Sequence, residues 1–366
     1  MNDLIFFEDG FRAAARRLVP VVLLLSFTGL GTQTATGATA VSRIFGAVPV
    51  VAHGEADTAL SLPMKVPAVF RGAVASVGVS GVSLAGTPNL VADQFVFVEG
   101  SQEETYYLFF ESGTLAGRHF KVSGNTGSSI AVVDANSEMV GAEADDLIAV
   151  HPYWTLNTLF SSDQGLPVTE KAGQRPVEVI VPAVEADGTN QTAKAVYYKR
   201  QGAWRKVGAA FDSNHDDTIL EPDRPVIVRL NGTDDSTLVM TGEVVMTEVA
   251  IPVRSRADGP QDSLVGLGRP LAVSLNDLGL SGSDAFETTT DAEAIKDRVM
   301  LYSPTPGQNK ALTEAFYYFN GGWRKEGGDV TTDVGETVIP AGQGFVIRKV
   351  GQGLDLVDYW VNTFTP

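Results

Sequence analysis

Residues 195–206 read AVYYKRQGAWRK, and residues 315–325 read AFYYFNGGWRK. In each copy an alternating apolar stretch leads into a glycine-containing turn, and Trp-Arg-Lys follows the turn. Trp204 and Trp323 are 119 residues apart, whereas the two Tyr-Tyr pairs are 120 apart. We interpret this difference as one inserted residue in the first turn. The pattern favours a pair of strands joined by a tight turn and repeated in one chain.

Two further blocks repeat in the same order. Thr218–Leu220 recurs as Thr337–Ile339, and Val226–Arg229 recurs as Phe345–Arg348, each 119 residues later. Chance is a poor explanation of several aligned blocks, so we expect two related modules. Arg229 and Arg348 end apolar strands, and we expect them to be structural ion-pair partners rather than ligand contacts.

The remaining chain alternates with a period of two and predicts an all-β protein. A weaker match of Asp57–Pro67 to Asp262–Pro270 implies a long insertion in the first module, whose short strands favour a small barrel. Helical pattern is scarce, and Asp291–Val299 is the best candidate for a short helix. The prediction is two β-sandwich-like modules, the first interrupted by a β-barrel: residues 1–40 signal peptide, 41–71 and 151–250 first module, 72–150 barrel, 251–366 second module.

Composition restricts the classes of function. The chain has 366 residues, a formal net charge of −17 and a pI near 4.6. An acidic surface repels phosphate backbones, so we expect no nucleic-acid partner. The absence of cysteine excludes disulfides and thiolate chemistry, and four histidines leave little room for His-based catalysis.

Residues 1–40 have the pattern of a secretory signal peptide. Three arginines lie within residues 12–17, and the apolar run Leu18–Gly31 is roughly 14 residues, short of the about 20 that a spanning helix needs. Ala38-Thr39-Ala40 matches a cleavage site, so a mature chain would begin at Val41 without a membrane span. An uncleaved anchor is the alternative. The expected location is periplasmic, cell-surface or extracellular.

Several segments together resemble a known group of sequences. They are Ser61–Phe70, His151–Phe160, Ala341–Arg348 and the two Tyr-Tyr…Trp-Arg-Lys blocks. The chain resembles an uncharacterised family of exported, β-rich bacterial proteins of verrucomicrobial type. The resemblance implies export and β architecture but no reaction. One departure is Asp223–Val226, where the second module has the glycine-rich Gly342–Phe345.

Aromatic residues of the repeat are candidates for a ligand platform. Exposed Tyr and Trp side chains can stack on sugar rings, and adjacent arginines can pair with carboxylates. Burial of the same side chains in the sandwich cores is the alternative. The speculative ligand-binding set is Tyr197, Trp204, Arg205, Tyr317, Trp323 and Arg324.

An acidic turn offers a speculative calcium site. Asp212, Asn214 and Asp216 occupy positions 1, 3 and 5 of an EF-hand-like loop. Position 6 is Asp217 instead of glycine, and Asp223 would replace the usual glutamate at position 12. No helical pattern flanks the loop. A solvated acidic turn between strands is therefore the alternative, and no other cofactor is expected.

No nucleophile elbow, zinc-binding helix or phosphate loop occurs in the sequence. We therefore expect a non-enzymatic, exported structural or adhesive protein of the cell envelope or extracellular matrix. Its partners would be copies of itself, other envelope or matrix proteins, or polysaccharide. A carbohydrate-binding protein with exposed Tyr/Trp platforms is the alternative. A carboxylate-dependent glycoside hydrolase, which needs two carboxylates converging in a cleft, is a weaker one.

Overall fold

A computed structural model describes residues 43–171 and 173–363. The predicted signal peptide, residues 1–40, lies outside the described residues. The chain begins with β1 (Phe45–Ala52) and β2 (Ala56–Leu60). Six strands follow: β3 (Phe70–Gly78), β4 (Gly81–Leu84), β5 (Tyr106–Phe110), β6 (His119–Asn125), β7 (Ser129–Val132) and β8 (Leu147–Pro152). The next elements are β9 (Trp154–Thr155), helix α1 (Leu156–Leu159), β10 (Val177–Pro182), β11 (Ala193–Arg200), β12 (Ala203–Lys206), β13 (Ile219–Leu220), β14 (Val226–Leu230) and β15 (Ser236–Glu243).

A second series of strands completes the described chain. These are β16 (Val249–Ser255), β17 (Gln261–Gly266), β18 (Val273–Ser274), β19 (Arg298–Tyr302), β20 (Leu312–Phe319), β21 (Gly322–Lys325), β22 (Val338–Ile339), β23 (Gly344–Lys349) and β24 (Leu356–Asn362). Short 3-10 turns occupy Glu138–Gly141, Ser162–Gln164, Asn276–Leu278 and Leu280–Gly282. Within the described residues, no helix is long and apolar enough to cross a membrane.

The two modules have the same sheet topology. The first has a five-stranded antiparallel sheet in the order β12-β11-β10-β14-β2, and the second has β21-β20-β19-β23-β17 in the equivalent positions. Two-stranded sheets accompany each: β1-β15 and β9-β13 in the first, β16-β24 and β18-β22 in the second. The predicted all-β fold with two related modules is confirmed.

A closed barrel interrupts the first module, as predicted. Its strand order is β3-β4-β7-β6-β5-β8. Its strands run from residue 70 to residue 152, slightly beyond the predicted 72–150. The barrel has its own core around Leu108, Phe110 and Ile148. Tyr107 and Phe109, on the alternate positions of β5, point away from it and join the core of the second module.

The predicted inserted residue in the first repeat hairpin is wrong. Both hairpins have two-residue turns, and Arg200 pairs with Ala203 as Phe319 pairs with Gly322. Both turn residues have positive φ in each copy, as the two-residue hairpin turn requires: Gln201 and Gly202, Asn320 and Gly321. The spacing of 119 therefore holds across the whole hairpin, and Tyr197 is equivalent to Phe316 rather than to Tyr317. The matching Tyr-Tyr letters are one position out of structural register.

The predicted helix at Asp291–Val299 is also wrong. The Asp291 carboxylate accepts a hydrogen bond from the backbone N–H of Glu293, which fixes a turn. β19 then begins at Arg298, so the last two residues of the predicted helix are strand.

Candidate ligand site

Apolar faces of the two five-stranded sheets line one cleft. Ala59, Ile180 and Ile227 contribute from the first module, and Leu264 and Val346 from the second. Ala59 pairs with Ile227 across β2 and β14, as Leu264 pairs with Val346 across β17 and β23. Structurally equivalent residues of the two modules therefore approach each other around a pseudo-twofold axis.

A loop of the first module holds β17 of the second. The Asp262 N–H donates to the carbonyl of Gly188, in the loop between β10 and β11, over 3.1 Å. The Asn190 N–H donates to Asp262 Oδ2 over 2.9 Å. Asp262 therefore holds the tip of this loop through two hydrogen bonds.

The opposite half makes the same contacts in reverse. The Asp57 N–H donates to the carbonyl of Gly307 over 3.0 Å, and the Asn309 N–H donates to Asp57 Oδ2 over 2.6 Å. Gly307 and Asn309 follow Gly188 and Asn190 by 119 residues. Asn190 and Asn309 share a left-handed backbone, with φ of 53° and 51°. Such reciprocity is characteristic of a twofold dimer interface, here formed within one chain.

Each acceptor aspartate also forms a two-pronged ion pair with an arginine. Arg229 Nε and Nη2 donate to Asp57 over 2.6 and 2.8 Å. Arg348 donates in the same way to Asp262 over 2.6 and 2.9 Å. The hydrogen bonds that the guanidinium groups donate to these carboxylates raise the pKa of both arginines. The structural role predicted for the two arginines is confirmed, and these forks fix the rim of the cleft.

The cleft has a volume of about 560 Å³, within the range of small-molecule sites. Its walls are mainly aliphatic, and its polar groups lie at the loops. The lining residues are Asp57, Ala59, Ile180, Pro182, Asn190, Gln191, Ala193, Val196, Ile227, Arg229, Asp262, Leu264, Tyr302, Asn309, Lys310, Ala311, Leu312 and Val346. None of them belongs to the predicted ligand-binding set. The cleft is the feature that sequence reasoning missed.

The predicted aromatic platform does not form. Trp204 is fully buried against Phe160, with ring centroids 5.7 Å apart. Trp323 is buried against Phe286 at 5.5 Å. The other predicted aromatics, Tyr197 and Tyr317, are buried as well. The strands place these rings inside the modules, where their apolar area stabilises the core.

The two arginines of the predicted set bond to nearby backbone. Arg205 Nη1 donates to the Asp212 carbonyl over 2.6 Å. Arg324 is buried, and its Nη1 donates to the Trp323 carbonyl over 3.0 Å. Both guanidinium groups therefore brace the repeat hairpins rather than an open site.

The predicted calcium residues form a turn that caps a strand. Asn214 Oδ1 accepts from the Asp216 N–H, and Asp216 Oδ1 accepts from the Trp204 N–H, both over 2.7 Å. Asp212 is largely solvent-exposed. In the second module Asp333 Oδ1 accepts from the Trp323 N–H in the same way. The acidic residues thus have a structural role that both modules use.

A second pocket lies where the barrel meets the first module, with a volume of about 790 Å³. His119 Nε2 of β6 lies 3.5 Å from Glu221 Oε2 and 3.7 Å from Asp223 Oδ1. One imidazole and two carboxylates are a donor set that divalent cations accept. The same distances also describe direct contacts between the imidazole and the carboxylates, which join barrel and module without a metal. No spacing in the sequence links His119 to this loop.

Comparison with known proteins finds no match among family models, curated proteins or solved structures. By its fold the chain is an all-β protein of two related modules with an inserted barrel.

Proposed function

We propose that this chain is a non-enzymatic, exported protein of the cell envelope or extracellular matrix that acts by binding a ligand. The ligand occupies the cleft between the two modules. The observation that carries the proposal is the cleft itself, an aliphatic pocket on the pseudo-twofold axis with a fixed polar rim. An adhesive role follows if the ligand belongs to a surface outside the cell.

The geometry supports a site that exists before the ligand arrives. The reciprocal loop contacts at Asp57 and Asp262 tie each module to the other through several hydrogen bonds. The side chains of Ile180 and Ile227 are only partly buried. A ligand covering them would gain about 25 cal/mol per Å² of apolar surface, with little ordering of the protein.

One feature of the cleft supports a non-enzymatic role. Asp57 and Asp262, the carboxylates that line the cleft, are each held by an arginine fork and by a backbone N–H. Both carboxylates are therefore engaged in structural contacts with an arginine and a backbone N–H, which supports a binding rather than a catalytic role for the cleft. Export is supported by the sequence of residues 1–40.

A neutral fluorescent probe tests the binding site. N-phenyl-1-naphthylamine should bind the purified protein with one saturable site and a fluorescence increase. Ala193→Trp should weaken that binding at least tenfold. Ala193 is exposed on the cleft wall, so the indole ring of the new side chain would fill part of the cleft.

Ala131→Trp provides the matched control, since Ala131 is an exposed strand alanine on the barrel. It should bind the probe like the unmodified protein, with all three proteins sharing one circular dichroism spectrum. Probe binding that is absent, or equal in the two variants, would refute the cleft as the binding site.

A further inference from the structure

The two halves of the cleft differ at three equivalent positions. Tyr302 pairs with Leu312 in the second module, where Pro182 pairs with Ala193 in the first. Lys310 follows Asn309, where Gln191 follows Asn190. All six residues line the cleft. The second module therefore supplies a larger apolar wall, a phenol and a cation where the first supplies small or neutral side chains.

Among the cations that line the cleft in the described part of the chain, Lys310 is the one that forms no ion pair. Arg229 is paired with Asp57, and Asp262 is paired with Arg348, so these four charges cancel. Within the described residues Lys310 Nζ has neither a hydrogen bond nor an ion pair. Partial burial lowers the pKa of Lys310, with the charge of Asp57 acting in the opposite direction. A partly buried lysine without an ion-pair partner in the described residues therefore lines an aliphatic cavity of a strongly acidic protein.

Tyr302 adds a second donor on the same side. Tyr302 lines the cleft, and its hydroxyl makes no hydrogen bond within the described residues. Burial raises the pKa of Tyr302 to about 12, so the phenol stays protonated and can donate. An ammonium and a phenol together match the two oxygens of one carboxylate.

We infer that the ligand is a single-chain amphiphile, with an aliphatic body against the two sheets and one carboxylate bound by Lys310 and Tyr302. This inference rests on the proposed binding function and names the ligand class at the same site. Charge complementarity selects the occupant: a neutral ligand leaves Lys310 unpaired, and a cationic ligand is repelled.

Displacement of N-phenyl-1-naphthylamine by decanoate, decanol and acetate tests the inference. Decanoate should displace the probe at about tenfold lower concentration than decanol, the size of one charge-assisted hydrogen bond, and acetate should not displace it. Lys310→Gln should raise the decanoate concentration needed to displace the probe about tenfold. The decanol concentration needed should stay the same within about twofold.

Lys194→Gln is the matched control, because Lys194 is an exposed lysine beside Ala193 that lines the other pocket. It should leave both values unchanged, whereas Lys310→Arg should retain the preference for decanoate. Equal displacement by decanoate and decanol, or an unchanged preference in Lys310→Gln, would overturn the carboxylate inference while leaving the cleft as a site. A probe that never binds would instead refute the proposed function.

Discussion

Asp297→Val should lower the free energy of unfolding by about 3–5 kcal/mol, the cost of leaving one charge of a buried pair without its partner. Lys349 Nζ lies 3.1 Å from Asp297 Oδ2, and neither side chain is exposed. The lysine also donates to the carbonyl of Ala285, and the nearest other carboxylate is the partly exposed Asp358, whose Oδ2 lies 4.0 Å from Nζ. Urea unfolding at pH 7 measures the loss.

The first module supplies the rescue. Val177 and Leu230 occupy the positions equivalent to Asp297 and Lys349, and they pair across β10 and β14. Asp297→Val/Lys349→Leu copies that apolar pair and removes the unpaired charge. It should regain most of the loss, although two backbone N–H groups lose Asp297 as their acceptor. A double variant no more stable than Asp297→Val would contradict this explanation.

Raising the pH from 7 to 9 should stabilise the protein, and Lys65→Met should remove about 2 kcal/mol of that gain. The Lys65 side chain is buried, with its Nζ 3.6 Å from the centroid of the Phe109 ring. Burial lowers its pKa from 10.5 to about 7, partly offset by the charges of Asp223, Glu111 and Glu243.

The sign follows from proton binding. Because the pKa of Lys65 is lower in the folded chain, the unfolded chain binds more protons between pH 7 and 10.5. Stability therefore rises with pH across that range. Urea unfolding at pH 7 and pH 9 measures the effect for the unmodified protein, Lys65→Met and Lys121→Met. Lys121 is exposed on β6 and serves as the control. A Lys65→Met variant with the original pH dependence would exclude burial of this lysine as its source.

The sequence predicted the architecture because repetition and alternation are local signals. The Trp-Arg-Lys blocks located both hairpins, and the match of Asp57 to Asp262 located the interruption. The register of the hairpins was misjudged because identical Tyr-Tyr letters outweighed the two-residue turns, which set the true alignment. The prediction of an exposed aromatic platform was wrong for a related reason. Alternation shows that a strand has two faces, but not which face becomes buried against the rest of the module.

The cleft was beyond local patterns, since it depends on how one module meets the other. One signal was nevertheless present in the chain. Gly188 and Asn190 recur as Gly307 and Asn309 at the spacing of 119, inside loops where no core requires them. A glycine and an asparagine kept in both loops indicate a shared backbone conformation, which the structure uses for the reciprocal contacts.

A crystal structure of the protein grown with saturating decanoate tests the central claim most directly. We expect one decanoate in the cleft, with its chain between Ile227 and Val346 and its carboxylate within hydrogen-bond distance of Lys310. Decanoate bound elsewhere, with the cleft empty of it, would contradict the assignment of the cleft as the binding site.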